Sequence, residues 1–170
     1  KIVGRSIMGR ISEEQIKEAL ANIQFQGTLV EYMPWGNGHI NDTFLAVYDV
    51  EGKTVRYILQ RMNKGIFTKP VELMENVVAV TSYLRKIIIE NGGDPERETL
   101  NVILAVDGKP YFVDAQGEYW RAYTFVEDAT CYDKVETPQD FYESAVSFGN
   151  FQRLLADYPA ETLHETIVGF

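Results

Sequence analysis

Cysteine is nearly absent from this sequence of 170 residues, with Cys131 the one example. A lone thiol rules out an internal disulfide framework and suits a reducing compartment. No histidine lies near it in the chain, so Cys131 reads as an inert thiol rather than a nucleophile. Basic residues are in deficit, 16 against 25 acidic, and the net charge of −9 lacks the basic face that nucleic acid requires. Long apolar runs are also missing, and none approaches the ~18 residues of a membrane span. The opening KIVGRSIMGR carries three positive charges without an apolar core, which does not make a signal peptide. There is no internal repeat and no low-complexity tract. These absences lead us to expect a cytoplasmic protein with neither a nucleic-acid nor a membrane partner. The chain begins at Lys1 rather than methionine, so a processed or cut piece is expected.

What remains, 45% hydrophobic and 24% charged, is globular composition with enough chain for one sizeable core, or for one small domain and part of another. Ser12-Glu13-Glu14-Gln15 forms a capping box, and Ile16, Ala19, Leu20 and Ile23 follow at helical spacing. Three alternating strand patterns come next: TLVEYM, INDTFLAVYDV and KTVRYILQRM, the last two joined by Glu51-Gly52. In the third, Tyr57, Leu59 and Arg61 face one way and Ile58, Gln60 and Met62 the other. Pro70 opens a long helix through VELMENVVAVTSYLRKIIIEN, which Gly92 and Gly93 stop. A charged loop with Pro95 leads to three short strands, TLNVILA, PYFVDA and EYWRAYTFVE, separated by Asp107-Gly108 and Gln116-Gly117. After a polar linker, Thr137-Pro138-Gln139-Asp140 begins a last helix with Phe141, Phe148 and Phe151 on one side. The expected fold class is α+β, an antiparallel sheet with one long helix inserted between its third and fourth strands. The aromatic side of the last helix is wide enough to favour self-association.

The stretch MPWGNGHINDTF carries the strongest chemical signal. Gly36 and Gly38 interrupt two strands, and glycine allows the positive φ and close approach by which backbone N–H groups cradle phosphate. Asn37-Gly38 is equally a hairpin turn signal, so both readings stand. Asn41 takes the third position of a GxGxxG pattern, and asparagine tolerates left-handed backbone. His39, at the tip, is suited to donating to a phosphate or a substrate hydroxyl, or to capping the hairpin. Asp42 and Thr43 add polar groups. On the third strand Gln60 and Arg61 are the two candidates for holding phosphates, pointing to opposite faces.

With these segments in place the chain resembles the N-terminal part of the aminoglycoside phosphotransferase-like kinases, most of all those acting on N-acetylhexosamines. The matching words are GNGHIN with Thr43, RYILQRMN, VELMENVVAVT, YWRAYTFVE, SFGNFQRLL and LHETI, in order along the chain. The resemblance implies a protein-kinase-like N-terminal lobe over residues 1–127. Residues 128–170 would then be a linker and the first helix of a C-terminal lobe. It implies that Gly36, Asn37, Gly38, His39, Asn41 and Thr43 form the phosphate loop. Gln60 would stand in for the usual lysine, with Glu72, Glu75 or Asn76 of the long helix as its partner. Phe125, Val126 and Glu127 would form the hinge beside the base, and His39 would reach the substrate. ATP and Mg²⁺ are the implied cofactors, and an amino sugar, phosphorylated at its anomeric hydroxyl, the implied substrate.

The family's catalytic loop, His-x-Asp-x-x-x-x-Asn, has no match here, since neither His39 nor His164 is followed two residues later by aspartate. The expectation is therefore a kinase portion that is inactive alone. The rival expectations are a nucleotide-binding or interaction module without catalysis, and a kinase of the same fold acting on homoserine, choline or an aminoglycoside.

Overall fold

The computed structural model describes residues 11–36, 38, 40–129, 134–167 and 169, so Cys131 falls outside it. Helix α1 spans Glu13–Ala21 and starts with the expected capping box. The Gln15 N–H donates to Ser12 Oγ at 3.2 Å, and the Ser12 N–H donates to Gln15 Oε1 at 3.1 Å. The helix is shorter than its apolar spacing suggests. Asn22 Nδ2 donates to the Glu18 carbonyl at 2.8 Å and closes the last turn, so Ile23 leaves the helix and forms an isolated β-bridge with Ala105.

Strands β1 (Thr28–Pro34), β2 (Asp42–Val50) and β3 (Lys53–Arg61) form an antiparallel meander. Glu51 and Gly52 join the last two with φ of 53° and 80°, both positive, as a tight two-residue hairpin requires. Helix α2 (Pro70–Glu90) carries proline in its first turn and buries Pro70, Met74, Leu84 and Ile88. The charged loop expected after it contains a short helix, α3 (Pro95–Glu98), because Asp94 Oδ1 accepts from the Glu96 N–H at 3.0 Å as a cap ahead of the proline. Three strands follow, β4 (Val102–Ile103), β5 (Phe112–Val113) and β6 (Tyr119–Thr124). Helix α4 (Pro138–Leu154) opens on a second capping box, between Thr137 and Asp140. A 3-10 turn covers Ala160–Thr162.

The six strands make one antiparallel sheet in the order β1-β2-β3-β6-β4, with β5 also on β6. The expected strands TLNVILA and PYFVDA are reduced to two residues each. The reason is geometric: one edge of β6 serves both, with Ala122 and Tyr123 paired to β4 and Tyr119 and Trp120 to β5.

Alternation along the strands divides the sheet into two unlike faces. Phe44, Ala46, Tyr48, Tyr57, Leu59, Trp120 and Ala122 form the closed face and pack with Ile16, Ala19 and Leu20 of α1. Opposite them lie Thr43, Leu45 and Val47 of β2, Arg56, Ile58 and Gln60 of β3, and Arg121 and Tyr123 of β6. Helix α4 has no buried residue, and Phe141 and Phe148 are 68% and 70% exposed, in keeping with the wide aromatic side read from the sequence. Its end meets α2, where Tyr83 and Tyr158 pack edge to face at 5.0 Å. No described helix is long and apolar enough to cross a membrane.

One carboxylate organises the closed face. Asp114, only 5% exposed, accepts from Trp120 Nε1 at 2.9 Å, Gln15 Nε2 at 3.1 Å, and the Glu118 and Gln116 N–H groups at 2.8 and 3.0 Å. Burial pushes its pKa up, but these donors, the Trp120 indole foremost, outweigh burial and hold it below the usual carboxylate value. Such a group stabilises the fold above its unfolded pKa, and that contribution is lost as pH falls through the depressed folded pKa. Asp114→Asn is expected to lower unfolding free energy at neutral pH by roughly 2 kcal/mol, from the loss of charge-assisted bonds. It is also expected to flatten the acid limb below about pH 4. Urea titrations at a series of pH values test this, and an acid limb unchanged in the variant would contradict it.

Candidate functional site

The glycine loop leaves β1 at Pro34, and the Trp35 N–H still donates to the Thr43 carbonyl at 2.9 Å, so the turn proper lies beyond Trp35. Gly36 has φ of 75°, in the left-handed region open to glycine. An added Cβ there would meet nothing within 4 Å, so the requirement is conformational rather than spatial. Gly38 has the same open space and no positive φ, so its backbone does not demand glycine. Asn37 and His39 lie outside the described residues. Asn41 Oδ1 accepts from the Asn63 N–H at 3.0 Å and ties the loop exit to the end of β3.

Behind the loop, three strands present a row of polar side chains on the second face of the sheet, where Leu45 and Ile58 are buried and Thr43, Gln60 and Arg121 half-buried. The register sets Thr43 opposite Gln60, and Gln60 opposite Arg121. Gln60 Nε2 donates to Thr43 Oγ1 at 3.0 Å, and Gln60 Oε1 accepts from Arg121 Nε at 3.0 Å. Both ends of the Gln60 amide are thus engaged, and the row is continuous from β2 to β6. Arg61, the other candidate on β3, points to the opposite side, where its Nη2 and Nε donate to Asp42 Oδ2 at 2.6 and 3.0 Å. Its charge is answered there. Arg121 differs, since no carboxylate pairs with it among the described residues. Burial pulls its pKa below the ordinary guanidinium value, partly opposed by the Tyr123 hydroxyl, and burial pushes Tyr123 up.

At the far end of β6 the chain leaves the sheet through Phe125, Val126 and Glu127. The Phe125 ring meets Trp35 edge to face, with centroids 5.7 Å apart and planes at 77°. The Arg56 guanidinium lies 4.5 Å from the centroid of the same ring, and its Nε donates to Glu127 Oε1 at 2.9 Å. The Phe125 N–H donates to the Arg56 carbonyl at 3.1 Å, and the Glu127 carbonyl accepts from Arg97 Nη1 at 2.9 Å. Of the backbone groups in this exit, both of Val126, the Phe125 carbonyl and the Glu127 N–H have no protein partner among the described residues.

Two hollows adjoin these groups. A groove of about 470 Å³ on the second face is walled by Met33, Leu45 and Val47, with Glu31, Arg56 and Glu127 also lining it. That volume falls in the usual range of ligand sites, ~300–1,000 Å³. A cleft of about 340 Å³ contains Asp42, Arg61, Lys64 and Glu118. Its charges are already matched as Arg61–Asp42 and Lys64–Glu118 pairs, leaving little to attract an ion.

The helix residues expected beside Gln60 are engaged elsewhere. Glu72 pairs with Lys69, the next charge along the helix start. Asn76 brackets the His164 backbone, donating from Nδ2 to its carbonyl at 2.8 Å and accepting from its N–H at 2.9 Å. Glu75 Oε2 lies 2.7 Å from His164 Nε2. Helix α2 thus holds the segment after α4, and Arg121 takes the place beside Gln60 that a helix residue was expected to fill. Trp35, Arg56 and Arg121 were not singled out from the sequence. A charge flanked by Trp120 and Ala122, two core residues of a strand, was the available signal for Arg121, because alternation sends it to the other face.

Asp42 is held by Arg61 and Glu127 by Arg56, and among the described residues no group of three or more His, Cys, Asp or Glu could hold a metal. No protein-family model matches this chain.

Substitution of the two glycines separates the loop's conformational demand from its space. Gly36→Ala is expected to cost about 1–2 kcal/mol, the penalty for a Cβ in left-handed backbone. Gly38→Ala is expected to cost no more than a few tenths. Denaturant titrations giving equal losses for the two would refute this assignment of φ.

Proposed function

We propose that the chain is the nucleotide-binding portion of an ATP-dependent phosphotransferase of the aminoglycoside phosphotransferase-like kinases, its acceptor an N-acetylhexosamine. The observation that carries this reading is the half-buried polar row Thr43–Gln60–Arg121 on the second face of the sheet, behind a loop whose Gly36 is left-handed. Phosphoryl transfer depends mainly on positioning and charge neutralisation, and a row of donors behind a glycine turn is suited to both. The groove beside Met33, Leu45 and Val47 offers an apolar surface to a base, and the free backbone groups of Val126 offer it a hydrogen-bonding edge. Phe125 and Trp35 supply aromatic surface at the same end.

On this reading the chain binds and orients nucleotide, and Mg²⁺ arrives with the nucleotide's own phosphates. His39 remains the candidate to reach the sugar. Residues 1–127 carry the nucleotide site, and 128–170 carry the linker and the first helix of the acceptor-binding part. A second reading, nucleotide binding without catalysis, is favoured by one feature: neither histidine is followed two residues later by aspartate, so this stretch contains no loop of the family's catalytic form.

Calorimetric titration of ATP·Mg²⁺ into the chain tests the proposal. Saturable binding is expected, and a Gly36→Ala/Gly38→Ala double variant should bind more weakly by about tenfold if loop N–H groups contact phosphate. Absence of saturable binding would overturn it. The acceptor is tested by assaying the intact gene product on N-acetylhexosamines against homoserine, choline and aminoglycosides. Phosphorylation of one of the latter alone would move the acceptor class and leave the nucleotide site in place.

A further inference from the structure

We propose that Arg121 is the principal phosphate anchor of the nucleotide site, and that Gln60, the residue at the expected phosphate-holding position of β3, positions it without carrying charge to the ligand. The assignment rests on the nucleotide-binding reading for the nature of the ligand, and on side-chain geometry for everything else.

The first observation is the state of the Gln60 amide. Its nitrogen donates to Thr43 Oγ1 and its oxygen accepts from Arg121 Nε, both at 3.0 Å. A neutral amide engaged at both ends has little left for a phosphate and no charge to offer it. What it does is fix the plane of the guanidinium through Nε. Among the described residues neither Nη group, the fork that matches phosphate bidentately, makes a hydrogen bond.

The second observation is the distribution of countercharge. Arg56, Arg61 and Arg85 are each answered by a carboxylate, Glu127, Asp42 and Glu96 respectively. Arg121 is half-buried and has no carboxylate partner among the described residues. Its Nη atoms are not enclosed, since the one buried side-chain polar atom without a partner among the described residues is Thr99 Oγ1. A partly desolvated cation held by one neutral hydrogen bond is an incomplete ion pair, and an anionic ligand completes it. Burial alone already lowers the pKa of this group, and a bound phosphate would reverse that effect.

The third observation is place. Thr43 is the first residue of the row and immediately follows the loop from Gly36 to Asp42. The row therefore runs from the exit of that loop on β2 across β3 to Arg121 on β6. The anion is the phosphate chain that the nucleotide-binding reading supplies.

The test compares sodium tripolyphosphate, adenosine and ATP·Mg²⁺ as titrants of the unaltered chain, Arg121→Met and Arg121→Lys. ATP and tripolyphosphate are expected to bind the unaltered chain and to lose about tenfold or more in affinity in Arg121→Met, the scale of one charge-assisted bond. Arg121→Lys should fall between the two, because it keeps the charge and loses the fork. Adenosine affinity should not change. Side-chain NMR of the unaltered chain supplies a readout independent of any variant's folding. The Arg121 Nε–Hε resonance should shift with tripolyphosphate and not with adenosine, and a resonance that stays still at saturating tripolyphosphate overturns the proposal. If Arg121→Met binds ATP and tripolyphosphate as the unaltered chain does, the anchor assignment falls and the nucleotide site stands. If tripolyphosphate binds through Arg121 while adenosine adds nothing to ATP affinity, the anchor stands and the nucleotide reading falls. If no titrant binds the unaltered chain, both fall.

Discussion

The antiparallel register of β3 between β2 and β6 is the constraint on which the candidate site depends. It sets Thr43, Gln60 and Arg121 side by side across three strands, at a spacing where cross-strand side chains touch. A slip of one residue in either pairing would send one member of the row into the apolar core and bring a core residue out in its place. That error is costly because the opposite face contains Phe44, Leu59 and Trp120, all fully buried. Packing of the closed face against α1 thus enforces the polar order of the other one.

The closed face has its own polar fixture. Asp114 gathers donors from α1, from the β5–β6 turn and from the Trp120 indole, so one buried carboxylate ties its own hairpin to a helix residue 99 positions away. Its position beneath β6 links this hub to the site, because Trp120 and Arg121 are adjacent residues on opposite faces of one strand. A change that frees the Trp120 ring would be felt in the direction of the Arg121 side chain.

The arrangement of charge explains why the two hollows are chemically unlike. In the cleft beside Asp42 and Arg61 opposite charges neutralise one another within hydrogen-bonding distance. On the second face Gln60 is neutral, and the cation sits one strand further on, without a carboxylate among the described residues. Gln60 and Arg121 are register partners, which puts both on the same face. Glu75 and Asn76 of helix α2 hold the segment around His164.

Local chemistry was enough for the sequence to determine the elements. Both capping boxes, the Glu51-Gly52 hairpin, the proline start of α2 and the alternation in β3 are properties of a few adjacent residues, and all stand where their residue types require. The left-handed turn at Gly36 was legible for the same reason. What local chemistry could not decide was how elements share partners. The lengths of β4 and β5 depend on the single free edge of β6, and the end of α1 on a bridge between Ile23 and Ala105. The candidate site has the same division. Thr43 and Gln60 stood out as polar residues of a glycine-flanked hairpin, but Arg121 lies 61 positions from Gln60 and only strand pairing brings the two to 3.0 Å. Composition and periodicity determine which residues turn inward, whereas long-range backbone pairing alone decides which outward ones meet.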